Sequence, residues 1–168
     1  MTAARIILWR HGRTDWNVID RFQGQVDIPL DDVGSAQAHR AAEVLATYRP
    51  SRLYSSDLSR CYQTAEMLAQ RTGLDITTDK RLREIHVGSW EGLRGEEIRA
   101  ADPELARRLW AGEDVRRSPT GESPTEVAER MFEAYQRLSE EQPRGRHGTG
   151  MGLYISRQLA RKMGGDLT

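Results

Sequence analysis

Arg5-Ile6-Ile7-Leu8-Trp9, followed at once by Arg10-His11-Gly12, is the stretch on which the reading of the fold turns. A short apolar run after a polar lead suits a strand buried on both faces of a parallel sheet, and Arg10-His11-Gly12 reads as the loop leaving its carboxyl end. Working outward, Ala38, Ala41, Ala42 and Leu45 fall on one face of a helix spanning 34–46, which Tyr48-Arg49-Pro50 ends. A second short strand is expected at Arg52-Leu53-Tyr54. The helix after it has Ser55 or Ser56 placed to cap it and Leu58, Cys61, Ala65 and Leu68 on one side. Strand, helix, strand, helix is the order that builds a parallel sheet with covered faces, the α/β class.

Farther along, Leu74-Asp75-Ile76-Thr77 is a weaker strand, and a charge-rich loop runs from it to Trp90. Residues 94–112 read as helical with a break at Asp102-Pro103. Ser123-Pro124-Thr125-Glu126 combines an N-cap Ser, a Pro at the first helical position and a Glu three residues after the cap. Val127, Met131, Ala134 and Leu138 then continue a buried stripe. No internal repeat or low-complexity segment interrupts the chain.

The length of 168 residues and 38% hydrophobic content suffice for one core. With 25 basic and 25 acidic residues, no global charge draws the chain to nucleic acid or an acidic membrane surface, so any attraction for anions must be local. The single cysteine, Cys61, cannot form an intramolecular disulfide, and no apolar run is long enough for a signal peptide or a membrane span. A cytoplasmic location is the expectation.

Arg10-His11-Gly12-Arg13-Thr14-Asp15-Trp16-Asn17 places a histidine just beyond the expected first strand, where open α/β sheets bind ligands. Taken singly, His11 could be a loop histidine, Arg60 a solvated helix residue, and Glu84 a surface ion-pair partner of Arg81 or Arg83. His39 and His86 read as structural or solvent-facing, and the four tryptophans are too scattered for a base-stacking platform.

Together, four blocks resemble the histidine phosphatase superfamily, the phosphoglycerate mutase-like fold. The stretch 10–17 resembles its phosphohistidine loop, and Ser55-Ser56-Asp57-Leu58-Ser59-Arg60-Cys61-Tyr62-Gln63-Thr64-Ala65 its second block. Leu82-Arg83-Glu84-Ile85-His86-Val87-Gly88-Ser89-Trp90-Glu91-Gly92 resembles the third, and Gly121-Glu122-Ser123 a fourth landmark. The resemblance covers about residues 5–142 and implies a three-layer α/β/α sandwich with a mostly parallel sheet. It also implies a phosphomonoester hydrolase with His11 as the residue that takes the phosphoryl group and Glu84 as general acid and then base. Arg10, Arg60, Asn17 and the backbone at Gly12 would cradle the phosphate. The physical chemistry agrees: a neutral imidazole attacking a phosphate carrying about two negative charges needs planar cations on the phosphoryl oxygens. No metal or cofactor is implied. A small phosphorylated metabolite is the expected partner, of the glucosyl-3-phosphoglycerate or alpha-ribazole phosphate kind, and a homodimer is compatible. Arg13-Thr14 stands where mutases of the family carry Glu-Ser, which favours a phosphatase over a phosphoglycerate mutase.

The resemblance changes after residue 142. The family's second catalytic histidine follows a buried strand, whereas here Gln142-Pro143-Arg144-Gly145-Arg146-His147-Gly148 lacks strand character, and His147 is the one available match. The expected sheet therefore lacks a central strand. Residues 148–168 resemble the glycine-rich lid and following helix of sensor histidine kinase ATP-binding domains, without the upstream asparagine helix or the Asp-x-Gly-x-Gly loop that hold Mg-ATP. Residues 1–147 are thus read as a truncated histidine phosphatase-like domain. Residues 148–168 read as a chimeric tail that packs through Leu153, Ile155, Leu159, Ala160 and Met163, not as an independent domain. An inactive scaffold and an ATP-binding fragment are the competing readings.

Overall fold

A computed structural model describes residues 6–140. Their order is α1 (Asp15–Val18), α2 (Asp32–Thr47), β1 (Leu53–Ser55), α3 (Ser59–Thr72), β2 (Ile76–Thr78), α4 (Gly95–Ala101), α5 (Pro103–Trp110) and α6 (Pro124–Glu140). Single 3₁₀ turns at Lys80–Leu82 and Gly88–Trp90 punctuate the charge-rich loop.

β1 and β2 pair in parallel, with Leu53 opposite Ile76, Tyr54 opposite Thr77 and Ser55 opposite Thr78. α3 is the crossover between them, as the βαβ reading requires. It packs against α2, whose Ala38 and Ala42 are buried, so two small residues allow the helices to approach closely. The Asp31 carboxylate accepts from Gly34 N–H at 2.6 Å to start α2, and Gly73 in the left-handed region (φ 72°) stops α3.

Two details depart from the sequence reading. Ser55 and Ser56 do not cap α3: Leu58 occupies the cap position without a side-chain bond, and Asp27 reaches over from a distant loop to accept from Ser59 N–H at 2.6 Å and from its hydroxyl at 2.8 Å. A tertiary contact has replaced the local cap. The stretch 5–9, expected to be a buried strand, belongs to no strand over its described residues 6–9, and Ile6, Ile7 and Leu8 are 38%, 43% and 51% exposed. An apolar run becomes a strand only where a neighbouring strand exchanges hydrogen bonds with it, and the one ladder among the described residues joins β1 to β2.

The capping box at the start of α6 is formed as read: Ser123 Oγ accepts from Glu126 N–H at 3.3 Å while Glu126 accepts from Ser123 N–H at 2.8 Å. Val127 and Ala134 on its stripe are buried. The break at Asp102-Pro103 is also present, with Asp102 capping α5 and Pro103 at its first position. Val87, Trp90 and Ile98 form a small core with Ile85, Leu93, Leu105 and Leu109 packed on it, and Phe22 meets Trp90 edge-to-face at 6.5 Å. Trp110 lies outside this core: it is 62% exposed under the Arg99 guanidinium. No helix among the described residues is long and apolar enough to cross a membrane.

Candidate active site

The loop 10–17 sits across the amino ends of α2 and α3. Gly12 is buried so tightly that a Cβ there would come within 2.3 Å of the Gly34 carbonyl oxygen in the first turn of α2, so only glycine fits. Gly12 N–H donates to Thr64 Oγ1 at 3.1 Å, and that hydroxyl donates to the Arg60 carbonyl one turn earlier in α3 at 2.7 Å. Arg13 adds a second tie: its Nε donates to Asp31 Oδ2 at 2.7 Å, and its carbonyl accepts from Asp31 N–H at 3.1 Å. Thr14, fully buried, caps α1 with Asn17 in a reciprocal box in which Asn17 Oδ1 accepts from Thr14 N–H at 3.0 Å. This use of Oδ1 leaves the exposed Asn17 side chain with its amide donors.

His11 is half-buried on this loop, with Nδ1 2.7 Å from the Gly12 carbonyl oxygen. In the neutral tautomer Nδ1–H donates that bond and the lone pair resides on Nε2. Burial disfavours the imidazolium most; the Gly12 bond opposes this, Arg60 and then Arg10 add to it, and Glu84 opposes again, leaving the His11 pKa below its usual 6.5. The same interactions define the neighbourhood: Arg60, Arg10 and Glu84 all lie within electrostatic reach of the ring.

Arg60 is not a solvated helix residue. It is completely buried in the first turn of α3, its Nη1 donates to the Val26 carbonyl and its Nη2 to the Gly24 carbonyl, each at 2.8 Å, and its buried Nε has no partner among the described residues. A buried cation with a donor unused is costly unless an anion completes it. Arg10, by contrast, is exposed at the loop's edge.

Glu84 pairs with neither arginine beside it. Arg81 is held by Asp79 at 2.6 Å and Arg83 by a two-pronged bond to Asp57 at 2.6 and 2.5 Å, which pulls the Asp57 carboxyl below the ordinary carboxylate range. Asp57 belongs to the second block and Arg83 to the third, so this pair joins them. The exposed Glu84 carboxylate accepts only from the adjacent Ile85 N–H, at 2.9 Å, among the described residues.

The model of the family described as "Histidine phosphatase superfamily (branch 1)" matches residues 6–159. This chain belongs to the histidine phosphatase superfamily. Glucosyl-3-phosphoglycerate phosphatase of Mycobacterium tuberculosis is 48% identical over 131 residues, which are 77% of this chain and 58% of that protein. The probable phosphoglycerate mutase GpmB of Yersinia pestis is 35% identical over 161 residues, 92% of this chain and 74% of that one. A solved mycobacterial glucosyl-3-phosphoglycerate phosphatase in complex with VO3 superimposes with a TM-score of 0.74 at 44% identity, covering 79% of this chain and 66% of the other. The chain therefore spans somewhat more than half the length of the M. tuberculosis relative. The α/β reading holds, and the family assignment of the four blocks holds with it.

Among histidine phosphatase residues, the structure adds several that the sequence reading did not single out. Arg117 is half-buried, its guanidinium makes no hydrogen bond among the described residues, and it feels the charges of Asp114 and Glu84. Its place in a loop without periodicity left no sequence signal. Thr64 and Gln25 act through hydrogen bonds that only the fold reveals, the second donating to the Glu84 carbonyl at 3.1 Å. The fourth landmark acquires a physical meaning. Gly121 lets the chain approach the His86 carbonyl, where a Cβ would stand 2.8 Å away, Glu122 exchanges bonds with His86 in both directions, and Ser123 caps α6. These bonds are made by the His86 backbone, while its imidazole Nε2 stands 3.6 Å from Glu91 Oε1. His147 and the stretch 148–168, for which a kinase-lid resemblance is the expectation, lie outside the described residues.

Proposed function

We propose that this chain is a phosphomonoester hydrolase working through a phosphohistidine at His11. The observation that carries the reading is the half-buried imidazole itself, disposed to stay neutral, with its Nδ1 engaged by Gly12 and two arginines and a carboxylate in range. Arg60, by its unused Nε, and Arg10 hold the phosphoryl oxygens, with Gly12 and Asn17 completing the cradle. In the first step His11 Nε2 attacks phosphorus, the bond from phosphorus to the ester oxygen breaks, and Glu84 in its acid form gives its proton to that oxygen. In the second, Glu84 as carboxylate takes a proton from water, the water oxygen attacks phosphorus, and the N–P bond breaks to release phosphate and restore His11.

For the substrate we infer a small phosphorylated metabolite carrying a second anionic group. The glucosyl-3-phosphoglycerate phosphatase at 48% identity and the half-buried Arg117 beside Glu84 both support it, since a carboxylate would fill that guanidinium's empty donors. We infer that it acts in the cytoplasm, in keeping with a single cysteine and balanced charge. The mutase reading, favoured by the GpmB relative, differs in one step: the phosphoryl group returns to a hydroxyl instead of water. Release of inorganic phosphate from glucosyl-3-phosphoglycerate and 3-phosphoglycerate, assayed with and without a bisphosphoglycerate primer, separates the two. Primer-independent release that disappears in His11→Ala supports the hydrolase; isomerisation that depends on the primer replaces it with the mutase.

A further inference from the structure

We propose that Arg130, seated by Glu122, is the positioning residue for Glu84: its single guanidinium, reaching in from α6, holds the backbone that carries the acid. This rests on the role given to Glu84 above.

The warrant is a complete count of donors. Arg130 Nη1 donates to the Arg81 and Arg83 carbonyls at 2.7 Å each, and Nη2 donates to the Glu84 carbonyl at 3.0 Å. The remaining two bonds go to one carboxylate: Nε to Glu122 Oε1 at 2.8 Å and Nη2 to Oε2 at 2.9 Å. All five N–H groups of the side chain are thereby used. Glu122 extends the grip, since its Oε2 also accepts from His86 N–H at 2.8 Å and its own N–H donates to the His86 carbonyl at 2.7 Å.

Apart from the 3₁₀ turn at its start, the segment 81–86 belongs to no helix or strand, so its carbonyls depend on side chains for partners. Both members of the clamp are mostly buried, with side-chain exposures of 17% and 22%. Burial would push the Glu122 carboxyl up, but the bonds from Arg130 and from His86 N–H outweigh it, and the group stays ionised to a lower pH than an ordinary glutamate. A charged, two-pronged pair of this kind sets the orientation of the guanidinium, which a lysine's single ammonium could not reproduce at three carbonyls. The Glu84 side chain, which borrows only Ile85 N–H, then starts from a fixed Cα and stays free to meet substrate.

A positioning role predicts a specific pattern. In Arg130→Lys, kcat for an alkyl phosphate such as 3-phosphoglycerate falls by about 10²-fold, as expected when a catalytic group is misplaced by about 1 Å. Hydrolysis of p-nitrophenyl phosphate, whose leaving group needs no proton, falls far less, and KM for both esters changes little. The same leaving-group split, somewhat smaller, appears in Glu122→Gln, which keeps the side-chain shape and serves alone should Arg130→Lys fail to fold. Thermal midpoints are recorded beside the rates, because a merely structural role lowers stability and both rates alike. Equal losses on the two esters, or none, while Glu84→Gln still shows the split, overturn the clamp and leave the role of Glu84 standing. Absence of the split in Glu84→Gln itself overturns the general-acid reading and the clamp with it.

Discussion

The reaction proposed for His11 joins two demands: the imidazole must be unprotonated to attack and yet lie among cations that would hold an anion. Burial, Arg60 and Arg10 push its pKa below 6.5, so the nucleophile is available above that lowered value and is lost as pH falls through it. The rising acid limb of kcat/KM should therefore lie below pH 6.5. Arg10→Ala removes one cation and should move that limb upward while weakening phosphate binding; a limb that stays in place or moves down contradicts the electrostatic account. At Glu84 the expected signature is a dependence on the leaving group. Glu84→Gln should slow alkyl phosphates by about 10²- to 10⁴-fold and p-nitrophenyl phosphate much less, read from kcat on the two esters. Of the residues in the proposed site, the family blocks point to His11, Arg10, Arg60 and Glu84. Thr64 lies in the second block without a role assigned to it, and Gln25 and Arg117 lie in none, because a hydrogen bond across 52 residues, such as that from Gly12 to Thr64, leaves no periodicity in the chain.

Helices are more legible in this sequence than strands, for a physical reason. α2, the break between α4 and α5, and the capping box of α6 are set by residues within a few positions of one another, so each is visible in sequence. β1 and β2 fall within two residues of the positions expected for them, but the apolar run 5–9, expected to be a strand, pairs with none over its described residues, since pairing depends on a distant neighbour. The α3 cap failed for the same reason, being supplied by Asp27 from 32 residues away. Two stability measurements belong to this scale. Ser123→Ala removes the α6 cap and should cost about 1 kcal/mol in urea unfolding. Gly12→Ala drives a Cβ against backbone at Gly34 and should cost about 1–3 kcal/mol, the price of an overpacked contact, while also displacing the loop that carries His11. Neutral behaviour of Gly12→Ala would show that the loop and α2 are not in rigid contact.

Across the whole molecule, pH couples these local features to folding. Asp57, held by Arg83, and Glu122, where the Arg130 and His86 bonds outweigh burial, both have lowered pKa values in the folded chain. The unfolded chain binds protons more readily than the folded one, so their contribution is present above the ordinary carboxylate range and is lost as pH falls through the lowered values. His11 acts with the same sign at higher pH: its contribution is complete above 6.5 and declines below it. The urea midpoint should thus begin to fall just under pH 6.5 and fall further below about pH 4. In His11→Ala the first decline should vanish and the second remain. The central claim, that His11 carries the phosphoryl group, is tested most directly by rapid acid-free quenching of the chain during turnover of a ³²P-labelled ester, followed by intact-protein analysis. The account predicts one labelled phosphoryl group per chain, stable to base, released by acid and absent from His11→Ala; a label that resists acid, or that persists in His11→Ala, would contradict it.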